Sequence, residues 1–530
     1  MTHSTSTTPD QLTCDVLVIG GGINGVGVAR DAAGRGLSVV LCEKDDLASH
    51  TSSASTKLIH GGLRYLEYGE FGLVRKSLIE REILMRSAPH LISPLQFVMP
   101  HSPGDKNQRP AWMIRAGLFL YDHLARRDLL PASSKINLRT HSAGAPLKAN
   151  FSQAFVYSDG WVDDARLVVA NAIDAAEKGA RILTRTRCEA AQRNDDHWLA
   201  YLRSDGGQQI ELRARVMVNA AGPWAVDFLQ TVANVSGNKT LRLIKGSHII
   251  VRKLFTHSFA YLLQHPDKRI VFAIPYENDF TLIGTTDLDY HGNLDDVLIE
   301  PSETTYLCDL ASYYFARQIV PADVIHTYSG VRPLLDQRTS GHGNASAITR
   351  DYRFELNRDG APLLSIFGGK LTTFRRLAEE ALAIMRPLLP QHGVAWTAHA
   401  CLPGGALISK LPSNRSVTEF AHYVQQKQRD YPWLDHALVA RYVRAYGNRI
   451  DRLLKGCDNV AALGEEIVPT LFAAEVRYLI AHEWAVTADD ILWRRSKLGL
   501  HLPRNAEEVL ARWMRQYADK TSGKTAYRTI

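Results

Sequence analysis

The stretch that decides the fold runs from Asp15 to Glu43 and is DVLVIGGGINGVGVARDAAGRGLSVVLCE. Its start, 15–19, is mostly apolar and β-branched, which predicts a buried parallel strand. A glycine-rich turn follows at once, and the small residues over 26–35 are compatible with a helix. A second apolar run over 38–43 predicts another strand, which ends in an acid. This order of strand, turn, helix and strand predicts a dinucleotide-binding unit.

Three glycines of this stretch, Gly20, Gly22 and Gly25, fit the pattern G-x-G-x-x-G. The first permits a tight turn, the second lets backbone amides approach a pyrophosphate, and the third lets helix and strand pack closely. Glu43 lies 18 residues beyond Gly25, near the spacing of an acid that binds a ribose 2′-hydroxyl and disfavours NADP. The alternative is a glycine-rich turn in an ordinary βαβ unit, but consecutive glycines cost chain entropy without structural gain.

Three later segments favour FAD over NAD. The segment 51–65 (TSSASTKLIHGGLRY) is rich in hydroxyls and predicts a loop along an extended cofactor, although a polar surface loop is the alternative. The segments 216–224 (VMVNAAGPW) and 363–374 (LLSIFGGKLTTF) each predict a strand followed by a small-residue turn. A cofactor domain built from separated pieces is typical of FAD oxidoreductases. The candidate cofactor-binding residues are Gly20, Gly22, Gly25, Glu43, Ser52, Ser53, Thr56, His60, Ala221, Gly222, Gly369, Leu371 and Thr372.

Length and composition limit the class of protein. A chain of 530 residues is too long for one simple core and predicts roughly two to four domains. Hydrophobic residues make up 45% and charged residues 22%, which excludes a disordered or fibrous chain. The formal charge of +7 is compatible with nucleic acid, an anionic membrane surface or an anionic small substrate.

Targeting and metal signals are absent from the sequence. No stretch approaches the roughly 18 uninterrupted apolar residues of a spanning helix, and the polar residues 1–13 lack an apolar signal region. The six cysteines are far apart and none forms a CxxC pair, which argues against zinc and against a disulfide framework. We therefore expect no metal and a reducing cytoplasmic setting.

Motifs along most of the chain identify a family. The sequence resembles the aerobic, FAD-dependent, quinone-linked glycerol-3-phosphate dehydrogenases. The stretches that carry the resemblance include IGGGINGVGVARDAAGRGLSVVLCEK, SSASTKLIHGGLRYLEYGEFGLV, YSDGWVDDARLV, NAAGPW, RLIKGSHII, IGTTD, TYSGVRPL, AITRDY, LLSIFGGKLTTFR and HEWAVTADDILWRR. SSASTKLIHGGLRYL and FGGKLTT are specific to this family, whereas the glycine motif is shared by many flavoproteins.

The resemblance implies an α/β fold in three parts. These are a Rossmann-type FAD domain like that of glutathione reductase, an interleaved substrate domain on an antiparallel sheet, and a C-terminal α-helical cap. We expect the FAD domain over 14–90, 155–245 and 345–385, the substrate domain over 91–154 and 246–344, and the helical domain over 395–530.

The resemblance also implies the reaction and its partners. The enzyme would oxidise sn-glycerol 3-phosphate to dihydroxyacetone phosphate by hydride transfer from C2 to flavin N5, and ubiquinone or menaquinone would take the electrons. We further expect a homodimer held without a spanning segment at the cytoplasmic face of the inner membrane, on an anionic membrane surface and without nucleic acid.

Cationic side chains in the matching motifs are the candidate substrate-binding residues, because the phosphate is an anion. The substrate-binding candidates are Arg64, Tyr65, Lys370 and Arg332, and the catalytic candidates are Arg332, His248 and His60. We expect Arg332 to stabilise the developing alkoxide while Arg64 and Lys370 hold the phosphate, although these roles could be exchanged. Either histidine could accept the proton of the C2 hydroxyl. For Asp287 we expect an ordinary sheet residue.

Two segments are candidates for the membrane surface. The C-terminal helices carry many bases, among them Arg494, Arg495 and Lys497, and the predicted helix from Asn505 has an apolar face. Thr487 with Asp490 predicts a helix-start capping box. A solvated basic face is the alternative for this region. The apolar segment 112–121 could also enter the membrane interface or be a buried helix.

Two other function classes compete with this assignment. One is a related flavin amine or amino-acid oxidase that reduces oxygen, in which Arg332 would bind a carboxylate. The extra cations Arg64 and Lys370 favour a phosphate instead. The other is an RNA-associated flavoprotein, suggested by the basic C-terminal region, which lacks the interleaved aromatics that single-stranded binding prefers.

Overall fold

The computed structural model describes residues 10–102, 109–235, 240–264, 269–335 and 351–522. Its strands are β1 (Asp10–Ile19), β2 (Val39–Cys42), β3 (Leu58–Ile59), β4 (Ile92–His101), β5 (Ser134–Asn137), β6 (Gln153–Val162), β7 (Arg181–Leu183), β8 (Thr186–Arg193), β9 (Trp198–Ser204), β10 (Gln209–Asn219), β11 (Leu241–Arg252), β12 (Ala260–Gln264), β13 (Ile270–Tyr276), β14 (Phe280–Gly284), β15 (Leu288–Asp289), β16 (Val324–Leu335), β17 (Arg353–Asn357), β18 (Leu363–Phe367), β19 (Glu466–Val468) and β20 (Leu471–Phe472).

The helices complete the architecture. They are α1 (Ile23–Gly34), α2 (Phe71–Ser87), α3 (Ala111–His123), α4 (Asp164–Glu177), α5 (Ala225–Thr231), α6 (Pro301–Tyr314), α7 (Phe374–Met385), α8 (Asn414–Thr418), α9 (Phe420–Asp430), α10 (His436–Tyr446), α11 (Ile450–Leu453), α12 (Ala473–Glu483) and α13 (Ala506–Ser522). A π-helix over Asp490–Arg495 precedes α13.

The first sheet contains the predicted nucleotide-binding unit. Its strand order is β17-β18-β10-β1-β2-β7, and the neighbours from β18 to β7 run parallel. Helices α1, α4 and α7 pack together on one face of it and share an apolar core with β1 and β2. Strand β1 begins five residues before the predicted strand, because its first half pairs with the long β10 from Asp10↔Ile210 onward.

The second sheet is almost entirely antiparallel. Its order is β15-β11-β14-β13-β12-β4-β6-β3, with β16 beside β11 and β5 beside β6. The sequence interleaves the two sheets as predicted, and the fold class is confirmed. Residues 155–162 of β6 and 241–245 at the start of β11, which the prediction assigns to the FAD domain, pair in this second sheet. The predicted boundary at 345 lies outside the described residues.

The C-terminal region forms a helical cap with its own core. Helices α9, α10, α12 and α13 bury an apolar cluster that includes Val439, Tyr442, Leu479 and Leu510. None of the helices in the described ranges is long and apolar enough to cross a bilayer.

The expected basic membrane face of this region is contradicted at three residues. Arg495 and Lys497 are buried, and Arg494 is largely covered, against Asp46 and Asp163 rather than displayed on the surface. Carboxylates within reach explain this, because a buried guanidinium or ammonium needs a partner. The basic residues Lys524 and Arg528 lie outside the described residues.

Candidate active site

A cavity of about 440 Å³ lies where the two sheets meet. One end is formed by the glycine turn after β1 and the acid after β2, and the other by side chains of the antiparallel sheet. Ligands of open parallel sheets bind at the carboxyl ends of the strands, which is the edge that lines this cavity. The predicted residues that line it are Gly20, Gly22, Glu43, Ser52, Thr56, His60, Arg64, Tyr65, Ala221, Gly222, His248, Arg332, Gly369, Lys370, Leu371 and Thr372.

The glycine turn is shaped as its sequence predicts. Gly20 has a φ of +109°, and a Cβ there would lie 2.6 Å from the carbonyl oxygen of Ala220. A Cβ on Gly25 would lie 1.9 Å from the carbonyl oxygen of Gly20, so only glycine lets α1 pack this closely on β1. The N-terminus of α1 therefore faces the cavity, where its dipole favours a phosphate.

Cationic side chains line the other end of the cavity. Arg332, on β16, donates to Asp287 over 2.9 Å and keeps 32% of its side chain exposed. The Lys370 ammonium lies 4.9 Å from the centre of the Tyr65 ring. Arg64 donates to the Tyr68 hydroxyl over 3.4 Å. Together these cations make this end suitable for an anionic group.

His248 lies among these cations on β11 and is 2% exposed. Its Nε2 is 3.0 Å from the Thr56 hydroxyl, and its ring stacks on Tyr328 at 4.7 Å between centroids. Burial lowers the pKa of His248 well below its usual value, and the nearby Lys57 and Arg332 lower it further. The imidazole is therefore neutral near pH 7.

Comparisons with known proteins agree with this geometry. Residues 15–375 match the family described as FAD dependent oxidoreductase, and residues 395–526 match the C-terminal domain of alpha-glycerophosphate oxidase. The chain is 52% identical to a glycerol-3-phosphate dehydrogenase of Pseudomonas aeruginosa, over 94% of both chains. It is 51% identical to a D-erythritol 1-phosphate dehydrogenase of Brucella abortus, over 94% of this chain and 97% of the relative.

A solved structure extends the likeness to the whole fold. The glycerol-3-phosphate dehydrogenase from Bacillus halodurans complexed with FAD superposes with a TM-score of 0.75 at 26% identity, covering 96% of this chain and 91% of that one. The chain belongs to the FAD-dependent glycerol-3-phosphate dehydrogenase family. Relatives at 52% and 51% identity are named for different polyol phosphates, so similarity alone does not assign the substrate within that family.

FAD fits the cavity of this family member. The glycines leave room for a pyrophosphate at the α1 N-terminus, and Ser52 Oγ accepts from the Ile23 amide there over 3.0 Å. Asn24 donates through Nδ2 to the Gly368 carbonyl, whereas its buried Oδ1 has no hydrogen-bond partner within the described part of the chain. Such an acceptor suits a ligand hydroxyl, of which FAD has several.

The acid at the ribose end is already held by backbone amides. Glu43 accepts from the Gly21 amide over 2.6 Å and from the Asp45 amide over 2.9 Å. Burial raises the pKa of the Glu43 carboxyl, and the two amides counteract this. Its carboxylate is thus fixed at the cavity wall before any ligand binds.

Two predicted cofactor residues do not line the cavity. The Ser53 hydroxyl donates to the His50 carbonyl over 3.3 Å instead, because the loop turns that side chain away. Gly25 lies beneath Gly20 and acts through packing. His60 and Thr372 both line the cavity and are joined there, since the His60 amide donates to Thr372 Oγ1 over 3.1 Å.

Several cavity residues were missed by sequence reasoning. Arg269 adds a cation, and Asp287, expected to be an ordinary sheet residue, holds Arg332 in place. Arg269 belongs to no glycine-flanked motif, so only the pairing of β12, β13 and β14 reveals its position. The motif IGTTD is evident in the sequence, but nothing local pairs its Asp287 with Arg332. The two residues come together because β15 and β16 both pair with β11.

Among the described residues, Asp45, His50 and Asp295 have ligand atoms within 4.8 Å of one another. These groups already have partners, because the His50 ring bonds Asp45 over 2.7 Å and the Lys44 ammonium binds Asp295. This group therefore gives no reason to revise the prediction that the enzyme uses no metal.

Proposed function

We propose that this chain oxidises sn-glycerol 3-phosphate to dihydroxyacetone phosphate. The observation that carries the proposal is the set of cationic side chains at one end of a cavity whose other end fits FAD. A small phosphorylated alcohol needs this arrangement, with its anionic group fixed by cations and its reacting carbon directed toward the cofactor. The dehydrogenases among the relatives favour this over an amine or amino-acid oxidase.

Each cavity side chain has an assigned role in this proposal. Arg64, Tyr65 and Lys370 bind the phosphate. Arg332, oriented by Asp287, stabilises the negative charge that develops on the C2 oxygen. His248, which lines the cavity with Arg332 and is neutral near pH 7, is assigned as the acceptor of the hydroxyl proton, while His60 contacts the cofactor. Bound FAD supplies the hydride acceptor.

Anaerobic reduction of the purified holoenzyme tests the reaction. Addition of sn-glycerol 3-phosphate should bleach the flavin absorption, and a soluble quinone analogue should restore it. Retention of the flavin band after substrate addition would contradict the proposal. Arg332→Ala should lower kcat, by roughly 100-fold for one lost charge-stabilising group. If only KM rose, the assigned role of Arg332 would be wrong.

D-erythritol 1-phosphate is the second candidate substrate, favoured by the relative at 51% identity that is named for it. It differs by one additional carbon bearing a hydroxyl, which the cavity must either accommodate or reject. A single extra group of this kind changes specificity by about 10-fold to 100-fold in an apolar pocket. The ratio of kcat/KM for the two phosphates on one preparation assigns the substrate.

The electron acceptor belongs to the same proposal. A quinone dissolved in the bilayer, ubiquinone or menaquinone, would take the electrons at the cytoplasmic face of the inner membrane. The family resemblance supports this, and it requires the enzyme to contact a membrane without a spanning helix. The homodimer stays a prediction that sedimentation of the purified enzyme can test.

The surface that we assign to the membrane is the outer face of α3. Trp112 is 70% exposed and Phe119 is 61% exposed, with Met113 and Leu120 beside them. Tyr68 and Phe71, also exposed, extend this apolar surface toward the cavity, and Tyr68 lines the cavity itself. The exposed Arg75 and Arg115 flank the surface and suit anionic headgroups. A lipid-soluble acceptor would thus approach next to the cavity mouth.

A further inference from the structure

The segment HEWAVTADDILWRR over 482–495 has no part in the chemistry above, although it is a motif of the family. It lies in the cap and contains the predicted capping box, in which the Thr487 amide donates to Asp490 over 2.9 Å and the Asp490 amide donates to Thr487 Oγ1 over 3.2 Å. The box opens the π-helix over Asp490–Arg495. π-helical turns are rare and concentrate at functional positions, so the partners of this one are informative.

Two arginines of the π-helix reach across to the cofactor half of the molecule. Arg494 donates to Asp46 over 2.6 Å, and Arg495 binds both carboxylate oxygens of Asp46 over 2.6 and 2.7 Å. The side chains of Asp46 and Arg495 are 1% and 0% exposed. Asp46 lies three residues after Glu43, at the start of the loop that runs along the ribose end of the cavity.

A second bond joins the same helix to the neighbouring cavity loop. Arg185 donates through Nη2 to both oxygens of Asp490 over 2.8 and 2.9 Å, and Asp490 also accepts from Arg494. Burial alone would raise the pKa of Asp490, yet the amides of Thr487 and Val486 and the charge of Arg494 hold it well below its usual value. The carboxylate therefore stays ionised and paired.

The two cavity loops are also tied to each other. The Arg185 amide donates to the Asp45 carbonyl over 2.8 Å, and the Thr186 amide donates to the Glu43 carbonyl over 2.7 Å. Thr186, Arg187, Lys44 and His50 line the cavity, whereas Asp46, Asp490 and the π-helix arginines do not. The buried charges thus lie one layer behind the cavity wall.

We propose that Asp46, Arg185, Asp490, Arg494 and Arg495, here called the cap latch, are positioning residues for FAD. No described residue of the helical cap lines the cavity, but through the latch the cap fixes the two loops that form its ribose end. Outer residues that orient a binding layer commonly change affinity without touching the ligand. The cap is therefore part of the cofactor site, and weakening the latch should release FAD.

A buried pair of the same kind, confined to the cap, provides the matched control. Arg441 binds Glu475 with two distances of 2.7 Å, and Glu475 is 0% exposed. Loss of either pair leaves a buried charge without its partner and destabilises the fold. Only the latch, however, connects to the cavity loops.

FAD affinity of the full-length holoenzyme distinguishes a positioning role from a merely structural one. Arg494→Met, Arg495→Met and Arg441→Met are compared by ultrafiltration and by the fluorescence of released FAD, at a temperature where far-UV circular dichroism shows each variant folded. We expect both latch variants to weaken FAD binding by about tenfold, the size of an ordinary coupling between interacting groups. Arg441→Met should change it less than about twofold, and Arg495→Lys should restore most of the affinity.

The outcomes separate cleanly. Equal FAD affinity in the latch variants and in Arg441→Met, whatever their thermal stability, would overturn the proposal. If Arg495→Met does not fold, Arg494→Met decides. The side chain of Arg494 is 13% exposed, and without it Asp490 still has Arg185 as a partner. The measurement requires no substrate, so it is independent of which polyol phosphate the enzyme oxidises.

Discussion

The helices α3 and α13 have a similar mixture of apolar and basic residues, but they differ in how much of their apolar surface is buried. Both combine apolar side chains with arginines, and both were candidates for a membrane contact. In α13, Leu510 and Met514 are 0% and 7% exposed within the cap core. In α3, Ile114 and Leu118 are buried, while Trp112 and Phe119 project into solvent.

The difference lies in the width of the apolar face. The apolar face of α13 is narrow enough for its neighbours in the cap to cover it, so its arginines are left on an ordinary solvated surface. Apolar residues surround most of α3, which is typical of a helix that is covered on all sides or lies in an interface. The antiparallel sheet covers only one side of it. The exposed remainder, rather than the count of basic residues, indicates a membrane-facing surface.

Leu510→Ala tests the buried side of this comparison and should have the largest effect. Loss of a fully buried leucine removes its burial and leaves a cavity, so the free energy of unfolding should fall by about 3.5 kcal/mol. Chemical denaturation measures this change. Leu411→Ala, at a position that is 64% exposed, is the control and should change little. A small effect of Leu510→Ala would mean that α13 is not packed into the cap.

Trp112→Glu with Phe119→Glu tests the exposed side. If α3 inserts into the membrane interface, the double variant should weaken binding to phosphatidylglycerol-containing vesicles by about 2.5 kcal/mol, or roughly 70-fold. Cosedimentation measures the binding, and turnover with a soluble acceptor should be unchanged. Val394→Glu with Leu411→Glu, at positions that are 71% and 64% exposed, is the matched control. An equal loss of vesicle binding in both double variants would contradict the assignment of α3 as the membrane-facing surface.

The sequence predicted elements and motifs better than it predicted charge partners. The glycine turn and Glu43 are adjacent to the strands that position them, so local pattern and spacing were sufficient. Arg495 and Asp46 are separated by 449 positions, and no local pattern pairs them. The same limit applies to Asp287, whose partner Arg332 is reached only through the register of β16 on β11. A basic residue in the sequence therefore predicts a charge but not whether solvent, a carboxylate or a ligand balances it.

The stability of the region next to the cap and the membrane binding of α3 should also differ in their response to pH. Burial and the nearby Asp163 raise the pKa of Glu277 to about 7, close to Lys497 and Arg444 of the cap. Because this folded-state pKa lies above the unfolded one, the folded chain binds more protons between about pH 4.5 and 7. The contribution of Glu277 to the free energy of unfolding should therefore fall as pH rises through that window.

Glu277→Gln should remove this dependence. The variant should be more stable than the wild type at pH 8, by at most about 2 kcal/mol for this partly buried group, and equal to it near pH 4.5. Denaturation at both pH values measures the difference. Vesicle binding through α3 should stay constant from pH 6 to 8, because arginines remain charged throughout that range. An equal pH dependence of the free energy of unfolding in the wild type and in Glu277→Gln would refute the role of Glu277.

The double variant Arg512→Ala with Arg515→Ala should have the smallest effect, a small change in binding to anionic vesicles. Both side chains are exposed on α13. A cation near an anionic bilayer contributes about 1 kcal/mol to binding, so a membrane-facing α13 would lose about 2 kcal/mol, or roughly 30-fold. We expect the vesicle-binding free energy to fall by less than about 0.5 kcal/mol, because exposed charges more than a Debye length from the bilayer are largely screened. By contrast, Arg115→Ala on α3 should weaken vesicle binding by about 1 kcal/mol, and this loss should become smaller as salt is added. If the α13 pair were the more sensitive of the two, the membrane contact would belong to the cap, and the exposed apolar face of α3 would need another partner.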